Sequence, residues 1–320
     1  MLNRRQFSLL GLGATAAMGG ALPSLAQAPR FITILTGGTS GVYYPLGVAL
    51  SQIYGKAMPD TKFSVQATKA SAENLNLLQA GRGELAFTQT DTLVQAVRGD
   101  AEVGFATPLN KLRTLAVIYP NYIQIVASKA SGIKSLADLK GKRVSVGAPK
   151  SGTELNARAV VKAAGLTYAD FAKVEYLPFA ESVDLMKNQQ LDATLQSAGL
   201  GVASLRDLAS SIDITVVPVP AETVTRIGET VYRSAVIPAN TYNGQTADVP
   251  TVITGNALAT HDGLPDEAAY QLTKLMFENL AAMQSAHAAA KQIALSKDAA
   301  TEFAPLHPGA KRFYKEKGLL

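Results

Sequence analysis

Between residues 31 and 219 short β-rich runs alternate with helical patterns, and the alternation starts over once, near residue 141. FITILT (31–36), KFSVQAT (62–68) and LAFTQ (85–89) read as strands, separated by helical spacing over 42–58, 72–80 and 92–98. LRTLAVIY (112–119) and YIQIVAS (122–128) read as two further strands. The second series runs through GKRVSVGA (141–148), KVEYLP (173–178), LDATLQ (191–196) and ITVVPV (214–219), with helices over 151–165, 181–190 and 201–210. Strand–helix alternation of this kind demands parallel strands joined by crossover helices, with apolar cover on the sheet faces.

TVITGNALAT (251–260) reads as a strand returning to the first series, and helices are expected over 265–283, 286–295 and 308–317. The expected architecture is therefore an α/β clamp of two lobes with a hinge between them. Lobe I comprises 29–122 plus 250–320, and lobe II comprises 123–249. Open α/β sheets bind ligands beyond the carboxyl ends of their strands, where loops enter helices. In this chain those loops are 36–43, 68–74, 88–92, 148–153 and 196–201.

TGGTSGVYYPLG (36–47) supplies glycines, hydroxyls and the amides of a helix start, which together suit an anion. The same stretch also suits a plain strand-to-helix connector. Its glycine spacing is not the G-x-G-x-x-G of a dinucleotide site. Tyr43 and Tyr44 are adjacent on the helix, so they diverge by about 100°; Tyr43 is assigned to the ligand and Tyr44 to packing. GAPKSGTEL (147–155) fails the phosphate-loop pattern because Lys150 precedes Ser151, Gly152 and Thr153, which disfavours ATP hydrolysis. Those three residues still form a second anion cap, and Ser151 or Thr153 fits the helix N-cap position. In FTQTDTL (87–93), Thr90 or Asp91 fits a helix cap as well as a ligand contact.

Chemistry of other kinds is sparse. There is no cysteine, and His261, His287 and His307 are the only histidines, without metal spacing. No G-x-S-x-G or H-E-x-x-H motif occurs, and nothing calls for a metal or cofactor. Residues 1–28 join Arg4 and Arg5 to a Gly/Ala-diluted apolar run ending Ala26-Gln27-Ala28. That composition reads as an export signal cleaved after Ala28, by the twin-arginine route or the general secretory one. A large exported chain free of cysteine fits a periplasm. Beyond the signal, 28 basic residues face 25 acidic ones without any basic run, which disfavours nucleic acid. No apolar stretch there is long enough to span a bilayer.

Six stretches in order resemble the TAXI family, the solute receptors of TRAP transporters. They are TGGTSGVYYPLG (36–47), SAENLNLLQAGRGELAFTQTD (71–91), SLADLKGKRVSVGAPKSGTELNARAVVKAAG (135–165), LDATLQSAG (191–199), IPANTYNGQTADVPTV (237–252) and PLHPGAKRFYKEKGL (305–319). The resemblance implies a type II periplasmic-binding-protein fold, each lobe a mainly parallel sheet flanked by helices. It implies a monomeric receptor for glutamate, glutamine or a related 2-oxo or 2-hydroxy dicarboxylate, delivered to an ion-driven TRAP permease. The ligand residues it implies are Gly38, Thr39, Ser40, Gly41 and Tyr43; Thr88, Gln89, Thr90 and Asp91; Ser151, Gly152 and Thr153; and Gln196, Ser197, Ala198 and Gly199. Ser40, Gly201, Asn240 and Asn243 depart from the family pattern, so specificity does not transfer directly. An ABC-type receptor for another small anion and an exported enzyme are the alternatives.

Overall fold

The computed structural model describes residues 29–320, so the export-signal reading of 1–28 lies outside the described residues. The first series is β1 (Phe31–Leu35), α1 (Tyr43–Ala57), β2 (Lys62–Gln66), α2 (Ser71–Gln79), β3 (Leu85–Gln89) and α3 (Thr90–Arg98). After β4 (Leu112–Ser128) come β5 (Arg143–Ser145), α4 (Gly152–Ala163), β6 (Lys173–Glu175), α5 (Phe179–Lys187), β7 (Ala193–Ala198), α6 (Ala203–Ser211) and β8 (Ile214–Val217). The chain ends with α7 (Ala221–Ile227), β9 (Arg233–Ile237), β10 (Val249–His261), α8 (Asp266–Glu278), α9 (Leu280–Ala286) and α10 (Pro308–Glu316).

The strands join in the order β2-β1-β3-β10-β4-β7-β5-β6, with β8 beside β4 and β9 beside β10. β1, β2 and β3 are mutually parallel, as are β5, β6 and β7. Between these parallel groups β4 and β10 run antiparallel to each other and to β7 and β3 respectively. The fold is thus α/β and two-lobed, but its sheet is mixed at the centre, because the chain must cross between lobes and come back.

Two long strands make that crossing. The early part of β4 pairs β10 from Leu112 to Ile123, and its late part pairs β7 and β8. β10 pairs β9 at its start and β3 near its end. The two strand candidates at 112–119 and 122–128 are therefore one strand of 17 residues. Pro120 lacks an N–H to give the ladder, and it is tolerated because it faces Gly255, where the register slips before Ala257.

The elements differ from the sequence pattern in three respects. The helix expected over 265–283 breaks at Asn279, where φ is −122°. The stretch 286–295 holds only a 3-10 turn, Ala288–Gln292, with His287 Nδ1 accepting from the Ala289 N–H. α7 and β9 had no expectation, since each is short and bounded by weak apolar signals.

Apolar side chains fill both faces. Ile123, Ile125, Val144, Val160, Leu195 and Val217 pack together in the second lobe, and Leu35, Leu75, Leu78 and Leu93 in the first. A larger cluster continues from Leu46, Leu50 and Tyr54 through Val42, Tyr119 and Ala198 to Leu205 and Leu208, so the lobes share buried apolar surface. Among the described residues no helix is long and apolar enough to cross a membrane.

Candidate functional site

Four helices, α1, α2, α4 and α5, begin at one cavity of about 120 Å³. Its wall takes Gly37, Gly38, Ser40, Gly41, Val42 and Tyr43 from the β1–α1 turn. Thr68, Lys69 and Ala70 come from the approach to α2, and Gln89 from the end of β3. The other lobe contributes Ala148, Ser151, Thr153, Pro178, Phe179, Ser197 and Ala198, and β4 contributes Tyr119 and Asn121. Helix starts present free amides and the positive end of the backbone dipole, so their convergence is electrostatically suited to a negative ligand.

What separates this cavity from a packing fault is a set of polar atoms that find no partner among the described residues. Gln89, Tyr119, Asn121 and Ser197 are 3%, 2%, 1% and 7% exposed. Gln89 Oε1, Tyr119 OH, Asn121 Nδ2 and Ser197 Oγ all lack a hydrogen bond. A buried polar atom left unpaired costs about 1–3 kcal/mol, and four around one space mark a place where something polar belongs.

The surrounding polar groups are engaged and hold the frame. Tyr43 OH donates to Asn256 Oδ1 at 2.5 Å, and its ring stacks on Phe87 at 5.2 Å. Asn256 Nδ2 donates to the Tyr119 carbonyl at 3.1 Å, so a side chain of β10 orients both tyrosines' neighbourhood. Burial raises the phenol of Tyr43 well above its ordinary value, which keeps it neutral and donating. Tyr43→Phe is expected to lower stability by about 1–3 kcal/mol, because Asn256 Oδ1 loses its donor. Urea denaturation of the variant checks this.

Ser151 caps α4, its Oγ accepting from the Glu154 N–H at 3.1 Å. Gly152, the first residue of α4, comes so close to the opposite lobe that a Cβ there would lie 2.7 Å from Gln89 Cδ and from Ser71 Oγ. Nearby, the Glu73 N–H donates to the Lys150 carbonyl at 3.1 Å, a backbone bond between the start of α2 and the 147–153 loop. These contacts describe lobes drawn together.

Of the expected ligand residues, Gly38, Ser40, Gly41, Tyr43, Gln89, Ser151, Thr153, Ser197 and Ala198 line the cavity. Thr39 is exposed and outside the lining, and Tyr44 faces a separate groove between α1 and α8–α9. Gly199 lies behind the wall, against Ala289. Gln196 is taken up by Ser204, whose Oγ donates to its Oε1 at 2.6 Å. Thr88 donates to the Gln89 carbonyl at 3.2 Å, and Thr90 pairs with Thr254 at 3.0 Å.

Asp91 stands apart from the cavity lining in a buried network of its own. Its Oδ2 accepts from Asn156 Nδ2 and from Tyr232 OH, each at 2.7 Å, and its Oδ1 accepts from Thr254 Oγ1 at 3.2 Å. Asn156 belongs to α4 and Tyr232 to the segment before β9, so this carboxylate ties α3 to the other lobe. Burial pushes its pKa from 3.8 up to about 6, with the hydrogen bonds from Tyr232, the Thr92 backbone and Thr254 holding it from rising further. No cation faces it among these partners.

Tyr119, Asn121 and Phe179 line the cavity without having been expected there. Tyr119 and Asn121 sit mid-strand in β4, not in a loop after a strand. The signal for them was the Pro120-Asn121 break in an otherwise apolar run. Phe179 follows the end of β6 as the other loops follow theirs, and the same strand-to-helix rule finds it.

Solved structures with this fold are similar over most of the chain. PhnD1 from Prochlorococcus marinus in complex with methylphosphonate superposes with a TM-score of 0.59 at 12% identity, covering 91% of this chain and 100% of that one. The binding protein component of an ABC phosphonate transporter from Pseudomonas aeruginosa gives 0.54 at 13% identity, covering 83% and 80%. The alkanesulfonate-binding protein SsuA from Xanthomonas axonopodis pv. citri bound to MOPS gives 0.50 at 16% identity, covering 91% and 85%. At such identities these likenesses speak for the fold alone, which is that of two-lobed binding proteins. The family is set by sequence, since the model of the NMT1-like family matches residues 34–318, and the chain belongs to that family.

Proposed function

We propose that the protein is a periplasmic solute receptor that closes two lobes on a small anion and hands it to a membrane permease. The observation that carries this reading is the set of four unpartnered polar atoms, from Gln89, Tyr119, Asn121 and Ser197, around a cavity between the lobes. The lobes divide as 29–122 plus 250–320 and 123–249, a division supported by β4 and β10 carrying the chain across and back. Closure follows from tighter binding to the closed arrangement than to the open one.

The size of the cavity speaks to the ligand. At about 120 Å³ it is near the roughly 150 Å³ of an engineered cavity that takes benzene. That favours a compact anion over glutamate or a longer dicarboxylate. Its permease is assigned to the ABC type, a reading supported by the likeness to the binding component of an ABC phosphonate transporter. Service to a TRAP permease, implied by the TAXI resemblance, is the second reading, and adjoining genes for an ATPase subunit or a fused TRAP permease tell the two apart.

A thermal-shift screen of small sulfonates, phosphonates and carboxylates tests the receptor reading. A ligand at 100 times its dissociation constant adds about 2.7 kcal/mol of stability; a screen in which no anion raises the melting temperature rejects the reading. Ser197→Ala removes a hydroxyl that has no protein partner. Its apo stability is expected to hold or rise, because no protein hydrogen bond is lost and an unpaired buried hydroxyl is removed, while affinity for the screened anion falls about tenfold. Unchanged affinity would place the site elsewhere.

A further inference from the structure

Charge is the property the cavity controls most sharply. Lys69 is the only charged side chain among its lining residues, and it is exposed, so water and salt screen it. No arginine reaches the cavity wall. The polar lining groups are neutral: the Tyr119 and Ser197 hydroxyls and the Gln89 and Asn121 amides can each donate and accept. A second anion is already close by. Burial raises the Tyr43 phenol's pKa most, and the Asp91 carboxylate, fully buried and without a cationic partner among the described residues, adds to that rise through its charge.

One negative charge can be held in such a place by neutral donors and helix starts. A second one meets the desolvation penalty of a buried charge with no cation to offset it. It also meets the field of Asp91. We propose, resting on the receptor reading above, that this cavity selects singly charged compact anions and rejects doubly charged ones of the same shape.

Methylphosphonate and methanesulfonate separate these cases, since they are close in shape and only the first gains a second charge. Calorimetric titration of the full chain is run with both at about pH 5, where the phosphonate is singly charged, and at about pH 9, where it is doubly charged. Methanesulfonate reports any change in the protein itself over that range, including titration of Asp91. The expected result is that methylphosphonate loses at least about tenfold in affinity relative to methanesulfonate on going to the higher pH. A methylphosphonate affinity that holds or rises at the higher pH overturns the proposal and leaves the receptor reading standing. Failure of both probes, and of acetate, to bind at either pH overturns the anion reading itself.

Ala148→Lys provides the converse measurement. Ala148 is a half-buried wall residue of the 147–153 loop. Adding the missing cation is expected to recover at least about tenfold of the lost affinity for the doubly charged phosphonate. A well-folded variant that shows no gain for the doubly charged form counts against charge as the selecting property.

Discussion

Gly152→Val is expected to weaken binding of the screened anion by about ten- to a hundredfold, and Gly152→Ala by less, while both variants keep their fold. The reason is spatial and not conformational. Gly152 is not among the glycines with positive φ, so an L side chain suits its backbone. Yet the first carbon of any side chain would meet Gln89 Cδ and Ser71 Oγ at 2.7 Å, across the contact between the lobes. Either the lobes stop short of closing, or Gln89 swings its amide out of the cavity wall. Both outcomes lower affinity, and overpacking of this kind costs about 1–3 kcal/mol, which converts to the stated range. Calorimetry gives the affinity and circular dichroism the fold. Wild-type affinity in the valine variant would show that the contact between Gly152 and Gln89 plays no part in holding the ligand.

Asp91→Asn carries the second large effect, and it appears as a pH dependence. Burial raises the folded pKa of Asp91 from 3.8 to about 6, so folding favours its protonated form. The contribution of this group is therefore most favourable below about pH 4, declines as pH rises to about 6, and is level above that. Over the whole window the loss amounts to about 3 kcal/mol. The asparagine variant does not titrate and lacks this decline. Urea midpoints for both proteins at about pH 4 and about pH 7 give the comparison, with the two stability curves converging or crossing toward neutral pH. Parallel curves would mean that the carboxylate is better solvated than its network with Asn156, Tyr232 and Thr254 indicates.

Most of the α/β order was legible because periodicity and turn residues report local geometry. The starts of α1 and α4 followed from their glycine and hydroxyl signals, and the loops that meet at the cavity followed from the rule of strand carboxyl ends. Ser151 as a cap was legible for the same reason. The centre of the sheet was not. Pro120 and Asn121 read as a break because proline has no N–H to donate; only the bulge opposite, at Gly255 and Ala257, makes the strand continuous. That partner lies far along the chain, and no local pattern announces it.

The site was legible to the same depth. Loop residues such as Gly38, Ser40 and Ser197 could be named from composition and position. Which side chains face the space depended on tertiary partners. Gln196 and Ser197 are neighbours on β7 with alternate directions; Ser204 occupies the first, and the second has no hydrogen-bond partner among the described residues. Asp91 looked equally suited to a cap and to a ligand, and its actual partners come from α4, β10 and the segment before β9.

The placing of β10 has a consequence for how the chain acquires its shape. β3 and β4 are successive in sequence but are not neighbours in the sheet; β10 stands between them and bonds to both. During synthesis, both strands wait with open edges until residues 249–261 have emerged. The middle of the molecule is therefore the last part to zip, and the early strands cannot complete an independent folded unit. Because one pair of strands underlies both halves, melting should proceed as a single cooperative event instead of one lobe after the other.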